Sequence, residues 1–307
     1  MFHVKQSETA SFSLPDDTPL ARELADLSAR RRALADVKVE FPGRTRILTI
    51  SNQKGGVGKT TTTVNTAAAI ASLGGRVLVI DLDPQGNAST ALGIPHSGDV
   101  PSIYDVLIDG FPISDVVQVS PESPNLFCAP SNIHLAGAEI ELVTQVAREQ
   151  RLKTAIDEFL AAQETPFDFI LIDCPPSLGL LTINAFTAAQ EVFLPIQCEY
   201  YALEGLSQLL GNVKMIQKHL NPKLHLSTIL LTMYDGRTKL AQQVADEVRS
   251  HFTAEVLDTM IPRSVRISEA PSFGQTVIAY DGNSAGAIAY REAAVEIVRR
   301  GNNGEEA

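Results

Sequence analysis

The chain is predicted to be an α/β protein, with one doubly wound, mostly parallel sheet and helices on both faces. Three observations carry that expectation. From Arg46 onward, short apolar runs alternate with segments of helical character, the pattern of parallel strands covered by crossover helices. A glycine-rich loop lies between the first apolar run and a small-residue helix. Two later runs end in aspartate followed by turn residues, and ligands of such sheets bind at the carboxyl ends of the strands.

Taken in order, the first strand is expected at 46–51, where Ile47, Leu48 and Ile50 lead into Ser51. A helix follows over 60–73, opening at the last glycine of the loop. RVLVID at 76–81 and FDFILID at 167–173 are the strands that end in acid, and VFLPI at 192–196 and LSTILLT at 226–232 are further strand-length runs. A short strand is expected at 275–278. Further helices are expected near 102–109, 134–163, 178–189, 202–219, 238–251 and 284–300. No internal repeat or low-complexity tract interrupts this single domain, read as 45–300 and followed by a disordered tail at 301–307.

Residues 1–44 differ in character. A polar start gives way to Leu20, Leu24, Leu27 and Leu34 around Arg30-Arg31-Arg32, and Pro42-Gly43 then stops the pattern. A flexible extension with room for one amphipathic helix accounts for this; a DNA-touching arm and a dimer-contact helix are the alternatives.

Composition narrows the function classes. With 307 residues, 44% hydrophobic and 20% charged, the chain can bury a large core. It has no apolar run of bilayer length, and its start, MFHVKQSETASFSLPDD, lacks a secretion-signal layout, so a cytoplasmic protein is expected. Cys128, Cys174 and Cys198 are odd in number and far apart, which fits buried thiols rather than a disulfide framework or zinc site. The net charge of −11 argues against a protein that coats DNA generally. Any nucleic-acid contact must gather a few cations on one face, as an oligomer could.

The chemistry centres on Lys54-Gly55-Gly56-Val57-Gly58-Lys59-Thr60-Thr61. Glycines let the backbone wrap an anion, and successive N–H groups with the positive helix end hold a phosphate. Lys59 would reach the outer phosphates and the Thr60 hydroxyl would ligate Mg²⁺. The usual P-loop has glycine six residues before its lysine; here Gln53 stands there, and a second lysine, Lys54, lies within the loop. Such a cation could neutralise charge that develops in phosphoryl transfer.

Two strand ends add acids. Asp173 ends an apolar strand, the place of a metal-holding carboxylate, and Asp83, in Asp81-Leu82-Asp83-Pro84-Gln85-Gly86-Asn87, could orient an attacking water. Asp81 is equally compatible with a turn or helix-capping role. The tracts Met233–Lys239 and Ile261–Arg266 place cations just after strand-like runs, which by themselves mean little.

With these residues in hand, the chain resembles the ParA/Soj partitioning ATPases of chromosomes and plasmids, in the wider deviant Walker A P-loop group that includes the MinD division-site ATPases. The likeness spans about 46–300 and rests on NQKGGVGKTTT at 52–62, DLDPQGN at 81–87, FILIDCPPSLG at 169–179, CEYYALEGL at 198–206, LTMYDGRTKL at 231–240 and IPRSVRISEAPSFGQ at 261–275. The resemblance implies ATP and Mg²⁺ as cofactors and a homodimer formed on ATP binding, with Lys54 reaching the partner's nucleotide. It gives Lys59 the phosphate, Thr60 and Asp173 the metal, Asp83 the attacking water, and Arg237 and Arg266 non-specific double-stranded DNA. It also implies weak intrinsic ATPase activity, stimulated by a ParB-like centromere-binding protein, and a nucleoid-associated location.

The 44-residue extension is too short for the helix-turn-helix domain of many plasmid members, so the chromosomal, Soj-like branch is the better match. A MinD-like ATPase acting on a membrane or protein cargo is the alternative. The acidic, Gly/Asn-rich end EIVRRGNNGEEA is unlike the basic amphipathic helix that reading requires. An electron-transfer or metal-handling protein of the same fold would need paired cysteines, and a scaffold that binds ATP without turnover would have no use for Asp83.

Overall fold

The computed structural model describes residues 18–199 and 202–302. The expectations for residues 1–17, for Tyr200 and Tyr201 and for most of the tail, 303–307, lie outside that range. The chain divides into two units, 1–37 and 38–307. In the first, α1 (Pro19–Ala35) starts where the Thr18 hydroxyl accepts the Ala21 N–H at 3.2 Å and proline occupies the first turn, both standard helix starts. Leu24 on this helix is 51% exposed.

The second unit runs β1 (Arg46–Ile50), α2 (Lys59–Ser72), β2 (Val77–Asp81), α3 (Asn87–Ala91), α4 (Ile103–Ile108), α5 (Ile113–Val116), β3 (Gln118–Val119), β4 (Leu126–Ala129), α6 (Leu135–Glu141) and α7 (Arg151–Ala161). It continues through β5 (Phe169–Asp173), α8 (Leu180–Ala188), β6 (Glu191–Gln197), α9 (Ala202–His219), β7 (His225–Tyr234), α10 (Lys239–His251), β8 (Val256–Pro262), α11 (Val265–Glu269), α12 (Val277–Tyr280) and α13 (Ala285–Asn302). The strands form one sheet in the order β3-β4-β2-β5-β1-β6-β7-β8. Every neighbouring pair is parallel except β3 with β4. The doubly wound, mostly parallel fold is therefore as expected.

Alternation along the strands divides the core in two. Ile47, Ile80, Ile170 and Ile172 join α4, α5, α7 and α8 on one face, while Leu48, Val79 and Leu171 join α2 and α13 on the other. Full burial of each such side chain stabilises the fold by about 1.5–3 kcal/mol. On α2, Ala67 and Ala69 are fully buried beside Ile70, and their small size lets the helix lie close to the strands. At the opposite end of the sheet from the phosphate loop, the Arg46 guanidinium forks onto buried Glu191 at 2.7 and 2.6 Å. It also donates to the Ile297 carbonyl at 2.6 Å, which ties α13 to the start of β1.

Three expectations are corrected. Residues 275–278 are not a strand: α12 starts at Val277. The Val277 N–H goes to Asn65 on α2 at 2.7 Å and the Thr276 hydroxyl to Glu122 at 2.7 Å, so tertiary partners take up groups a ladder would use. The helix expected over 134–163 is broken between α6 and α7. There Ala147 adopts φ 51°, and buried Asn184 accepts from Leu152 N–H at 3.2 Å and donates to the Arg148 carbonyl at 2.8 Å. Finally, β3, β4 and β8 were not expected. The first two are only two and four residues long, and β8 carries exposed Asp258 inside its run.

Candidate functional site

The sheet register brings the site together. Asp173 at the end of β5 is level with Ile50 at the end of β1 and with Asp81 at the end of β2. The glycine-rich loop therefore leaves the sheet beside two aspartates. In that loop Gly56 and Gly58 have φ 74° and 89°. A β-carbon at Gly56 would meet nothing within 4 Å, and one at Gly58 only the Met233 methyl at 3.9 Å. Backbone conformation, not crowding, is what demands glycine at these two positions.

Side chains from neighbouring strands hold the loop's outline. The Thr232 hydroxyl donates to the Val57 carbonyl at 2.9 Å, with Val57 itself buried. Asn52 donates to the Pro195 carbonyl at 2.9 Å and accepts the Lys54 N–H at 3.0 Å. The helix α2 then begins at Gly58 without any side-chain cap, which leaves its first N–H groups and positive end directed at whatever the loop encloses.

Lys59 heads this helix and is 8% exposed. Burial lowers its pKa, opposed by the charges of Asp173, Cys174 and Asp83. Thr60 donates to Asp173 at 2.7 Å and Thr63 donates to its other oxygen at 2.9 Å. Burial, then the charge of Asp81, pushes the Asp173 carboxyl upward, against the two threonine hydrogen bonds. A buried carboxylate so placed gains from a cation.

No group of three or more acidic, histidine or cysteine residues fit to hold a metal occurs among the described residues. One carboxylate and one hydroxyl beside an anion cradle instead suit Mg²⁺, which keeps waters and shares phosphate oxygens. The donor set thus fits a magnesium nucleotide.

Asp83 is 9% exposed, accepts the Gln85 N–H at 3.0 Å and donates its own N–H to Asp81 at 3.2 Å. Asp81 resolves toward structure: fully buried, it accepts the Ser89 N–H at 2.8 Å and hydroxyl at 2.7 Å, so it braces the start of α3. Lys54 is directed elsewhere, its ammonium 3.0 Å from Glu199 beyond β6. Thr61 has its carbonyl bonded by Asn65 at 2.7 Å and its side chain half-buried. Gly55 is exposed at the loop tip.

The two arginines lie just beyond the carboxyl ends of β7 and β8. Arg237, before α10, is 89% exposed and paired with Asp235 at 2.8 Å. Arg266, on α11, is 56% exposed and pairs with Glu269 at 3.2 Å and Asp281 at 3.4 Å. They follow adjacent strands whose ends are level, Tyr234 with Pro262, so both emerge from the same end of the sheet. The three cysteines are buried.

Sequence reasoning missed Thr63, Thr232, Asn52 and Glu199. Thr63 lies one helical turn beyond Lys59, the spacing that brings its hydroxyl onto the same face. Thr232 and Glu199 act through contacts between distant segments that carry no local signal, and Asn52 joins a local turn onto Lys54 to a distant contact with Pro195.

A family profile described as an AAA domain matches residues 45–226. The sporulation initiation inhibitor protein Soj of Bacillus subtilis is 52% identical over 256 residues, covering 83% of this chain and 99% of that protein. The chromosome partitioning protein ParA of Caulobacter vibrioides is 49% identical over 255 residues, 83% of this chain and 94% of that one. A solved structure described as cobyrinic acid a,c-diamide synthase from Mycobacterium smegmatis, with bound ATP analog and magnesium, superposes with a TM-score of 0.72. It is 38% identical and covers 85% of this chain and 98% of its own.

Proposed function

Since the chain belongs to the Soj/ParA family of partitioning ATPases with a P-loop fold, we propose that it is a DNA-segregation ATPase whose ATP-bound homodimer holds DNA without sequence preference and releases it on hydrolysis. The observation that carries this reading is the pairing of Thr60 with Asp173 at 2.7 Å under the uncapped start of α2, beside buried Lys59.

ATP and Mg²⁺ are its cofactors. Lys59 and the first N–H groups of α2 hold phosphate oxygens, while Thr60 and Asp173 would hold the metal, which offsets phosphate charge when bound. Asp83, on a loop fixed through Asp81, positions the attacking water, and phosphoryl transfer asks for little beyond such positioning and charge stabilisation. Lys54 serves the partner protomer's nucleotide. Arg237 and Arg266 of two protomers form a basic stripe for DNA phosphates on an otherwise acidic protein. A ParB-like protein stimulates weak intrinsic turnover, and the protein works in the cytoplasm on the nucleoid. Residues 45–300 act as the ATPase domain, with 1–44 as an extension and 301–307 as a tail.

Fluorescence anisotropy with random-sequence duplex DNA tests this, run without nucleotide, with ADP and with ATP at two salt concentrations. Tight, salt-sensitive binding with ATP alone is expected. No ATP-dependent binding, in protein shown to bind ATP, would overturn it and direct attention to liposome sedimentation.

A further inference from the structure

The two lysines of the phosphate loop are held in different ways. Lys59 is buried beside Asp173 and Asp83, whereas Lys54 is linked to β6 through Asn52 and to Glu199, just past that strand, through its ammonium. Its N–H donates to Asn52, which is itself bonded to Pro195 of β6. Its ammonium meets Glu199 Oε2 at 3.0 Å. Glu199 is no loose surface acid: its other oxygen accepts from Gln197, and its N–H closes a turn onto the Gln197 carbonyl at 2.8 Å. The acceptor is thus pre-placed for Lys54.

We propose that Glu199 is a positioning residue that keeps Lys54 in a standby pose outside its own phosphate cradle, and so sets how readily the ATP-bound dimer forms. This rests on the reading of Lys54 as the residue that serves the partner's nucleotide. On that reading Lys54 must exchange a carboxylate for a phosphate when two protomers close. Standby keeps a second cation from competing with Lys59 for the same phosphates.

The side chains of the pair are 36% and 46% exposed, so water and salt screen it and its strength is modest. Losing it favours closure by up to about fivefold per protomer. The effect acts twice in a symmetric dimer.

Sedimentation equilibrium of the full chain with Mg²⁺ and a slowly hydrolysed ATP analogue tests the proposal, comparing wild type with Glu199→Gln at low and high salt. Gln keeps the size and a hydrogen bond to Gln197 but removes the charge. Tighter dimerisation is expected at low salt, with the gain shrinking at high salt, ADP affinity unchanged, and no gain when Glu199→Gln is placed on Lys54→Gln. A merely structural role would not produce that dependence on Lys54. Unchanged or weaker dimerisation, with normal ADP affinity, would overturn the role of Glu199 while leaving the partitioning reading intact. A wild-type chain that stays monomeric with the analogue would overturn the dimer reading and this inference together.

Discussion

At the scale of single residues, the proposed roles separate holding a nucleotide from consuming it. Lys59→Ala removes the buried cation at the head of α2, and nucleotide binding by calorimetry should fall by at least tenfold, as expected when a buried charge partner of phosphate is lost. Asp83→Ala leaves Lys59, Thr60 and Asp173 in place. It should retain ATP and accumulate the DNA-bound dimer while phosphate release stops; equal loss of DNA binding in both variants would contradict the assignment. The thiols make a different point. Burial pushes Cys198 up to about 11 and raises Cys128 well above the usual thiol value, the charge of Asp81 adding to burial at Cys128 and Arg249 opposing it at Cys198. Thiolate therefore forms only far above neutrality, and labelling by a thiol reagent should stay slow from pH 7 to pH 9 until the protein is unfolded. The loop residues Gly56, Gly58, Lys59 and Thr60 were legible because spacing along one strand, loop and helix dictates their geometry. Lys54's partner was not, because Glu199 is 145 residues away in the chain.

At the scale of elements, the strands that carry chemistry were the easiest to read. RILTI, VLVID and FILID are fully buried five-residue strands, and a central parallel strand has no solvent face to dilute its pattern. Shorter runs were not readable: β3 and β4 have only two and four residues, and the 275–278 run has strand-like residues whose backbone is claimed by Asn65 and Glu122. The break between α6 and α7 depends on Asn184, fully buried, with three hydrogen bonds to Leu152, Arg148 and Leu180. Asn184→Ala should leave buried backbone groups unpaired and cost about 1–3 kcal/mol. Urea melts would show a lower midpoint at unchanged slope, and hydrogen exchange should rise across 142–151.

At the scale of the whole molecule, the DNA-binding face proposed for a protein with a net charge of −11 rests on topology. Adjacent β7 and β8 end level, and Arg237 and Arg266 follow them. Arg237→Glu or Arg266→Glu should weaken duplex binding and flatten its salt dependence while sparing ATP-dependent dimerisation, measured side by side by anisotropy and sedimentation. The far end of the sheet is held by Arg46, Glu191 and α13. Arg46→Leu strands a buried carboxylate and should cost about 3–5 kcal/mol in chemical denaturation, whereas Arg46→Leu with Glu191→Leu should recover much of that loss. The sequence by itself determined the doubly wound class, the phosphate loop and the acids at strand ends, because each depends on short-range spacing and on which residues can be buried. Only the tertiary structure decided that Asp81 braces α3, that Thr63 and Thr232 complete the cradle and that Lys54 rests on Glu199. These are contacts between segments far apart in the chain, and packing in three dimensions selects them.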